Sequence, residues 1–217
     1  MRILFCNIAW MKYYHGNCED DRPVHGGSYV EQTNNANECN NFLPVSIEVN
    51  DFFKEDVPYC FGSFETKCTR KDTQNQVHIE KIRGCESLQN SDFANNILVV
   101  WCAKSCRNDT VVVGWYKKAT VFREYQQLQG SNESENDYIR CYNIVAKAED
   151  CVLLPEKERF VRIWDVPRSQ KKGIPYGFGR ANVWYAAESS AEEYLKTIAS
   201  DINNYDEENW LYKGIED

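Results

Sequence analysis

The sequence predicts an α+β protein: a strongly curved, mostly antiparallel β-sheet or small β-barrel with flanking helices. Three observations carry this. Runs rich in Val, Ile, Tyr, Phe and Trp recur at roughly 10–20-residue intervals with turn residues between them. One amphipathic helical pattern stands near the carboxyl end. The composition, 42% hydrophobic and 27% charged over 217 residues, is that of a globular chain able to bury a core.

The elements follow in order. Ile3 to Ala9 reads as a strand, and residues 15–41, rich in Asn, Asp and Gly, as a polar excursion outside the core with a turn at His25-Gly26-Gly27-Ser28. Further strands are expected at Tyr59–Thr66, Gln76–Ile82, Asn96–Ala103, Thr110–Tyr116, Ala119–Tyr125, Asp137–Ala146 and Val152–Leu154. Lys117 and Lys118 separate two of these as a tight hairpin would. Residues 127–136 read as an exposed loop. Ser190-Ala191-Glu192-Glu193 forms a capping-box pattern. Ala191, Tyr194, Leu195, Ile198, Ile202 and Tyr205 follow at helical spacing, so a closing helix is expected over about 190–205. With no repeat and no convincing linker, residues 1–217 read as one domain.

The longest uncharged apolar run, Ile97 to Ala103, is far short of the ~20 residues of a membrane span. The apolar amino terminus is interrupted by Asn7 and followed by Lys12, which suits a strand better than a signal peptide. A cytoplasmic protein with no membrane partner is the expectation. The formal net charge of -8 argues against indiscriminate coating of nucleic acid. Charge is uneven, however: 9 basic and 14 acidic residues in 1–100, 14 and 10 in 101–180, and 2 and 9 in 181–217. Within the basic middle, Arg159, Arg162, Arg168, Lys171, Lys172 and Arg180 cluster. They read either as a solvated loop or as a phosphate-contacting edge.

Ten cysteines occur without a Cys-x-x-Cys, and with only His15, His25 and His78 beside them no local zinc pattern arises. Cys6, Cys102 and Cys141 read as small buried hydrophobes, and no cofactor or metal is expected. Walker loops, dinucleotide fingerprints and His-Glu-x-x-His are missing from the sequence. Gly177-Phe178-Gly179-Arg180 lacks the helix and third glycine of a phosphate loop. Six tryptophans are more suggestive, because Trp10, Trp101 and Trp115 fall at or near expected strand ends. Alternation puts Trp101 with Val99 and Ala103, and Trp115 with Val111 and Val113. Strand-end aromatics can sandwich a flat ring or a methylated base.

Four segments carry a resemblance: Phe5–Lys12 (FCNIAWMK), His25–Val30 (HGGSYV), Val113–Phe122 (VGWYKKATVF) and Gly177–Tyr185 (GFGRANVWY). They resemble the amino-terminal sensor region of bacterial HNH-type endonucleases. The strand order is similar to that of the PUA-like superfamily, whose EVE, YTH and SRA modules bind modified bases in an aromatic pocket. The resemblance implies a non-catalytic reader of a modified DNA base, extruded by base flipping. It would be the specificity part of a modification-dependent restriction system in antiviral defence. The chain itself holds no HNH motif, so a fused or separate nuclease is the implied partner. On this reading Trp10, Trp101 and Trp115 are the cage, Asn7 reads the base edge, Asn182 and Trp184 complete the wall, and Arg168, Lys171, Lys172 and Arg180 hold phosphates. Two alternatives stay open: a reader of RNA or a nucleotide-like ligand, and an enzyme using Cys, His and Asp from separate loops.

Overall fold

The structure, a computed structural model, describes residues 1–26, 36–50, 52–53, 55–66, 68–70, 73–74, 76–129, 139–169 and 173–215; at 68–70, 73–74, 129 and 139–140 it describes the backbone alone. Ten strands are described: β1 (Ile3–Ile8), β2 (Pro44–Val45), β3 (Tyr59–Gly62), β4 (Cys68–Arg70), β5 (Thr73–Gln74), β6 (Phe93–Lys104), β7 (Thr110–Gln129), β8 (Ile139–Lys147), β9 (Cys151–Leu153) and β10 (Val183–Trp184). Eight of them form one open sheet in the order β10-β1-β6-β7-β8-β3-β2, with β9 added on β7. β4 and β5 pair separately. β1 and β6 run parallel, and the other strand pairings are antiparallel. The fold is therefore α+β on a large, mostly antiparallel sheet.

Alternation along β1 explains the two layers. Leu4, Cys6 and Ile8 join one buried cluster with Val99, Trp101, Val113 and Tyr116. Ile3 and Phe5 join a second with Val100, Trp115 and Trp164. Helix α1 (Glu192–Asn203) covers this second face through Leu195, Ile198 and Ile202, as the apolar stripe predicts. The capping box is not made, because Ser190 lies inside a 3-10 turn (Ser189–Ala191) that precedes the helix, and the N-cap is Ala191 with no side-chain bond.

The expected hairpin at Lys117–Lys118 is instead one continuous 20-residue strand. β6 stays paired with β7 on both sides of the two lysines, from Phe93↔Phe122 to Lys104↔Thr110. Between Ile97↔Ala119 and Val99↔Tyr116 the register slips, and Lys118 takes φ 52, so the extra residue is absorbed as a bulge. A second slip, between Trp101↔Gly114 and Cys102↔Val112, reverses the alternation expected for Trp115, which packs with Val112 while Val113 faces the other layer.

Gln76–Ile82 is not a strand. Its centre is a 3-10 turn (Ile79–Lys81) held by local bonds, with Ile82 N–H donating to Ile79 O at 3.1 Å. The 15–41 excursion is not wholly outside the core either, since Asp21, Ala36, Cys39 and Asn41 are buried. Asp21 ties it down: its carboxylate accepts the backbone N–H groups of Lys12 (2.6 Å), Tyr13 (2.7 Å) and Tyr14 (3.0 Å). Gly27 and Ser28 of the expected turn, and residues 130–138 of the expected loop, lie outside the described residues.

Candidate functional site

The two parallel strands β1 and β6 end at Ile8 and Lys104, and polar groups gather past the end of β1. The Asn7 N–H donates to Asn182 O at 2.7 Å, which brings the approach to β10 alongside. Ala9 N–H donates to Glu38 Oε1 at 2.9 Å. Burial raises the Glu38 carboxyl above its ordinary value against that bond, and the nearby Glu65 charge adds to the rise. Next along, the half-buried Trp10 packs on Phe160 at 5.6 Å and takes the Arg159 guanidinium at 5.2 Å. Arg107 lies over the outer Phe160 ring at 4.5 Å.

A cavity of about 220 Å³ opens beside Asn182, walled by Glu65, Thr66, Gln76, His78, Lys81 and Tyr185 among others. Thr66 and Gln76 stand at the two ends of the segment that forms the β4–β5 hairpin, and His78 and Lys81 flank the 3-10 turn. Tyr185 Oη accepts the His78 backbone N–H at 2.9 Å, and burial pushes the tyrosine's pKa up to about 12. The Thr66 N–H donates to Tyr125 Oη at 3.3 Å, and that hydroxyl donates to Phe64 O at 2.6 Å. The Thr66 side chain also engages the Tyr125 hydroxyl. Ser63 Oγ, Asn143 Oδ1 and Asn7 Oδ1 are buried polar atoms without a described hydrogen-bond partner.

His78 is held in place. Its Nδ1 meets Glu80 Oε1 at 3.0 Å, and Glu80 Oε2 takes Arg123 Nη1 at 2.9 Å. The remaining Arg123 donors go to Ser91 O at 3.0 Å, Leu88 O at 3.0 Å and Gln89 O at 2.9 Å. Although burial opposes it, bonds from its own backbone, Arg123 and His78 hold the Glu80 carboxyl below its ordinary value.

The expected base-binding residues separate into two sets. Asn7 and Asn182 meet through their backbones near the end of β1, while Trp10, two residues past that end, packs with Phe160 and Arg159. Trp101 and Trp115 do not join them: both are fully buried, on opposite faces of the sheet, so no three-tryptophan cage forms. Trp101 packs edge-on against Tyr116 at 5.3 Å, and Trp115 lies 5.4 Å from Trp164. Trp184 is buried on the α1 side, against Phe5 at 4.6 Å, with its Nε1 donating to Glu188 at 2.9 Å. By alternation with Ile3 and Phe5, the Asn7 side chain also projects to that face, while its backbone serves the cavity side.

Of the expected phosphate contacts, Arg168 donates from Nε to Thr110 Oγ1 at 2.6 Å and borders a different cleft, of about 420 Å³, with Asp109, Asp165 and Asp201. Arg180 is exposed, and Lys171 and Lys172 lie outside the described residues. The nine cysteines whose side chains are described are all free, with Cys141 exposed and not buried as expected, and burial raises the Cys6 and Cys102 thiols well above the ordinary value, which works against a nucleophilic role there. Among the described residues no helix is long and apolar enough to cross a membrane.

Thr66, Lys81 and Tyr185 were not singled out by the sequence, and His78 stood out only as one of three histidines. No local pattern joins them, because the cavity is assembled from segments more than a hundred residues apart. No protein-family model, curated protein or solved structure matches the chain.

Proposed function

We propose that this chain is a non-catalytic reader of a base in nucleic acid, a modified base in DNA on the resemblance to PUA-like sensors, and that the base sits in the Tyr185 cavity. The observation that carries the reading is a single cavity wall shared by the Thr66 side chain, the Asn182 amide and the Tyr185 ring. These supply a hydroxyl and an amide for a base edge and an aromatic face for stacking. At about 220 Å³ the cavity is below the ~300–1,000 Å³ of drug-sized sites, so one flat ring suits it better than two. On this reading Trp10, half-buried against Phe160, takes a flanking base, with Arg107 over the same Phe160 ring adding positive charge. An HNH nuclease, fused or separate, is the partner this reading implies.

The test is a fluorescence titration with short duplexes, unmodified or singly modified, at two salt concentrations, on wild type and Thr66→Val. Selective, salt-weakened binding to one modified duplex is expected in wild type. Thr66→Val removes a hydroxyl from the cavity wall at nearly constant volume, so affinity for the duplex should fall. A folded variant that binds as tightly as wild type would defeat the reading. The cavity size also admits a free nucleoside, and competition by nucleoside alone, as tight as by duplex, would favour a small-ligand sensor instead.

A further inference from the structure

Resting on the cavity reading above, we propose that His78 and Lys81 form a phosphate-holding rim, so that the cavity takes a nucleotide unit, base together with its phosphate, and not a free base.

The first argument is the way His78 is fixed. Of its two ring nitrogens, Nδ1 donates to the Glu80 carboxylate at 3.0 Å, so Nε2 is left for a ligand and donates to a phosphate oxygen when the ring carries its second proton. The ring is about half exposed, at 48%, whereas the groups behind it are progressively withdrawn: Glu80 at 21% and Arg123 at 14%. Arg123 reaches Glu80 and three backbone carbonyls, and its own carbonyl accepts the Val77 N–H at 2.8 Å, one residue before His78. An exposed imidazole needs no such support to be solvated. Support of this kind orients a ring for an external partner, as outer-shell groups do for ligating histidines.

The second argument is Lys81. It stands three residues on, at the end of the same 3-10 turn, and walls the same cavity. Its described contact is with the Tyr185 ring face, 5.9 Å from the centroid, and no described carboxylate pairs with it. A lysine left unneutralised over the aromatic ring that stacks the base lies where the phosphate of the same nucleotide would fall. Glu65 also lines the cavity, and its carboxylate would repel a phosphate placed beside it, which favours the His78 and Lys81 rim for the anion. Ammonium and imidazolium N–H groups are donors a phosphate oxygen accepts from, and such charge-assisted bonds are the stronger kind.

The experiment titrates wild type, His78→Gln, Lys81→Gln, Glu80→Gln and a remote control, Lys196→Gln, with a nucleoside, its 5′- and 3′-monophosphates, inorganic phosphate and a short single strand carrying the same base. Lys196 is an exposed residue on α1 that pairs with Glu192 at 2.9 Å. In wild type and the control, one of the monophosphates should bind about tenfold more tightly than the nucleoside. That preference should collapse in His78→Gln and Lys81→Gln, and Lys81→Gln should lower the salt slope for the strand by about one. Glu80 is a positioning residue, so Glu80→Gln should shift the His78 ring ¹⁵N resonances and reduce the preference while leaving the His25 resonances in place.

Equal binding of nucleoside and both monophosphates by wild type overturns the phosphate rim and leaves the base-reading cavity standing. Binding of inorganic phosphate as tightly as of any nucleotide, lost in Lys81→Gln, keeps the rim and overturns the base. Binding of none of these probes overturns both.

Discussion

Replacing Arg159 with alanine isolates the most heavily engaged charge in the interior. Arg159 is 0% exposed, and its guanidinium donates to Leu154 O at 2.9 Å and to Met11 O and Lys12 O at 2.6 Å. It also lies over the Trp10 ring at 5.2 Å and the Tyr14 ring at 5.9 Å. Removing it strands three carbonyls, each costing about 1–3 kcal/mol if left dry. Against this, the wild type bears the several-kcal/mol desolvation of a buried cation, which the same burial shows as a lowered arginine pKa. The net expected loss is about 3–5 kcal/mol, the range for a buried polar contact broken from one side. For a chain of this size that is a fall in Tm of roughly 6–20 °C. Urea unfolding followed by tryptophan fluorescence and by far-UV circular dichroism measures it. Arg159→Lys, with a single ammonium, should lose less than Arg159→Ala, and Arg159→Met should do no better than alanine. A loss below about 1 kcal/mol in Arg159→Ala would refute the reasoning, because the carbonyls would then find other partners at little cost.

Three further outcomes follow from packing and burial. Gly62→Ala places a methyl 2.4 Å from Trp101 Cζ2 and 2.9 Å from Cη2, so the midpoint of urea unfolding should drop by an amount equivalent to about 1–3 kcal/mol or more. Burial raises the pKa of Tyr185 and of Tyr205 from 10.0 to about 12. The folded state thus holds these protons more tightly, and the stability they contribute is full below pH 10 and lost as pH climbs towards about 12. Thermal melts from pH 9 to 12 set beside absorbance at 295 nm should show unfolding accompany tyrosinate formation, and ionisation of all tyrosines near pH 10 in a still-folded protein would contradict this. A thiol reagent should modify the exposed Cys18, Cys106 and Cys141 rapidly in the native protein, while Cys6, Cys60, Cys102 and Cys151 react only on unfolding, as peptide mapping would show.

Local pattern carried the fold further than the site. β1, β6, β8, β9 and the apolar stripe of α1 were legible because alternation and the 3.6-residue period are properties of neighbours in sequence. The bulges of β7 were not, since an extra residue shows itself only against the partner strand. The slip between Gly114 and Val112 separates Val113 from Trp115. Trp101 and Trp115 are parted by register, Trp101 pairing with Gly114 and Trp115 with Val100, and alternation within one strand does not reveal which residues face each other across two. Gln76–Ile82 misled for a related reason: Val77, Ile79 and Ile82 are all buried on one side of a turn, and their hydrophobicity alone reads as strand. Trp10 stood out as an aromatic near a strand end, and Asn7 and Asn182 only through the resemblance. Thr66 and Tyr185 were not singled out, because a place on a cavity wall is defined by what surrounds a residue.

The position of β1 has a consequence for how the chain is made. Of the described strands it is synthesised first, yet one neighbour begins at Phe93 and the other at Val183. At ~5–20 residues per second the outer edge of β1 waits roughly ten to thirty-five seconds for β10. Throughout that interval the strand Ile-Leu-Phe-Cys-Asn-Ile offers an open hydrogen-bonding edge to any other nascent chain. Crowded polysomes, and any truncation that removes residues 183–184, should therefore favour intermolecular pairing at β1 over loss of the sheet beyond it.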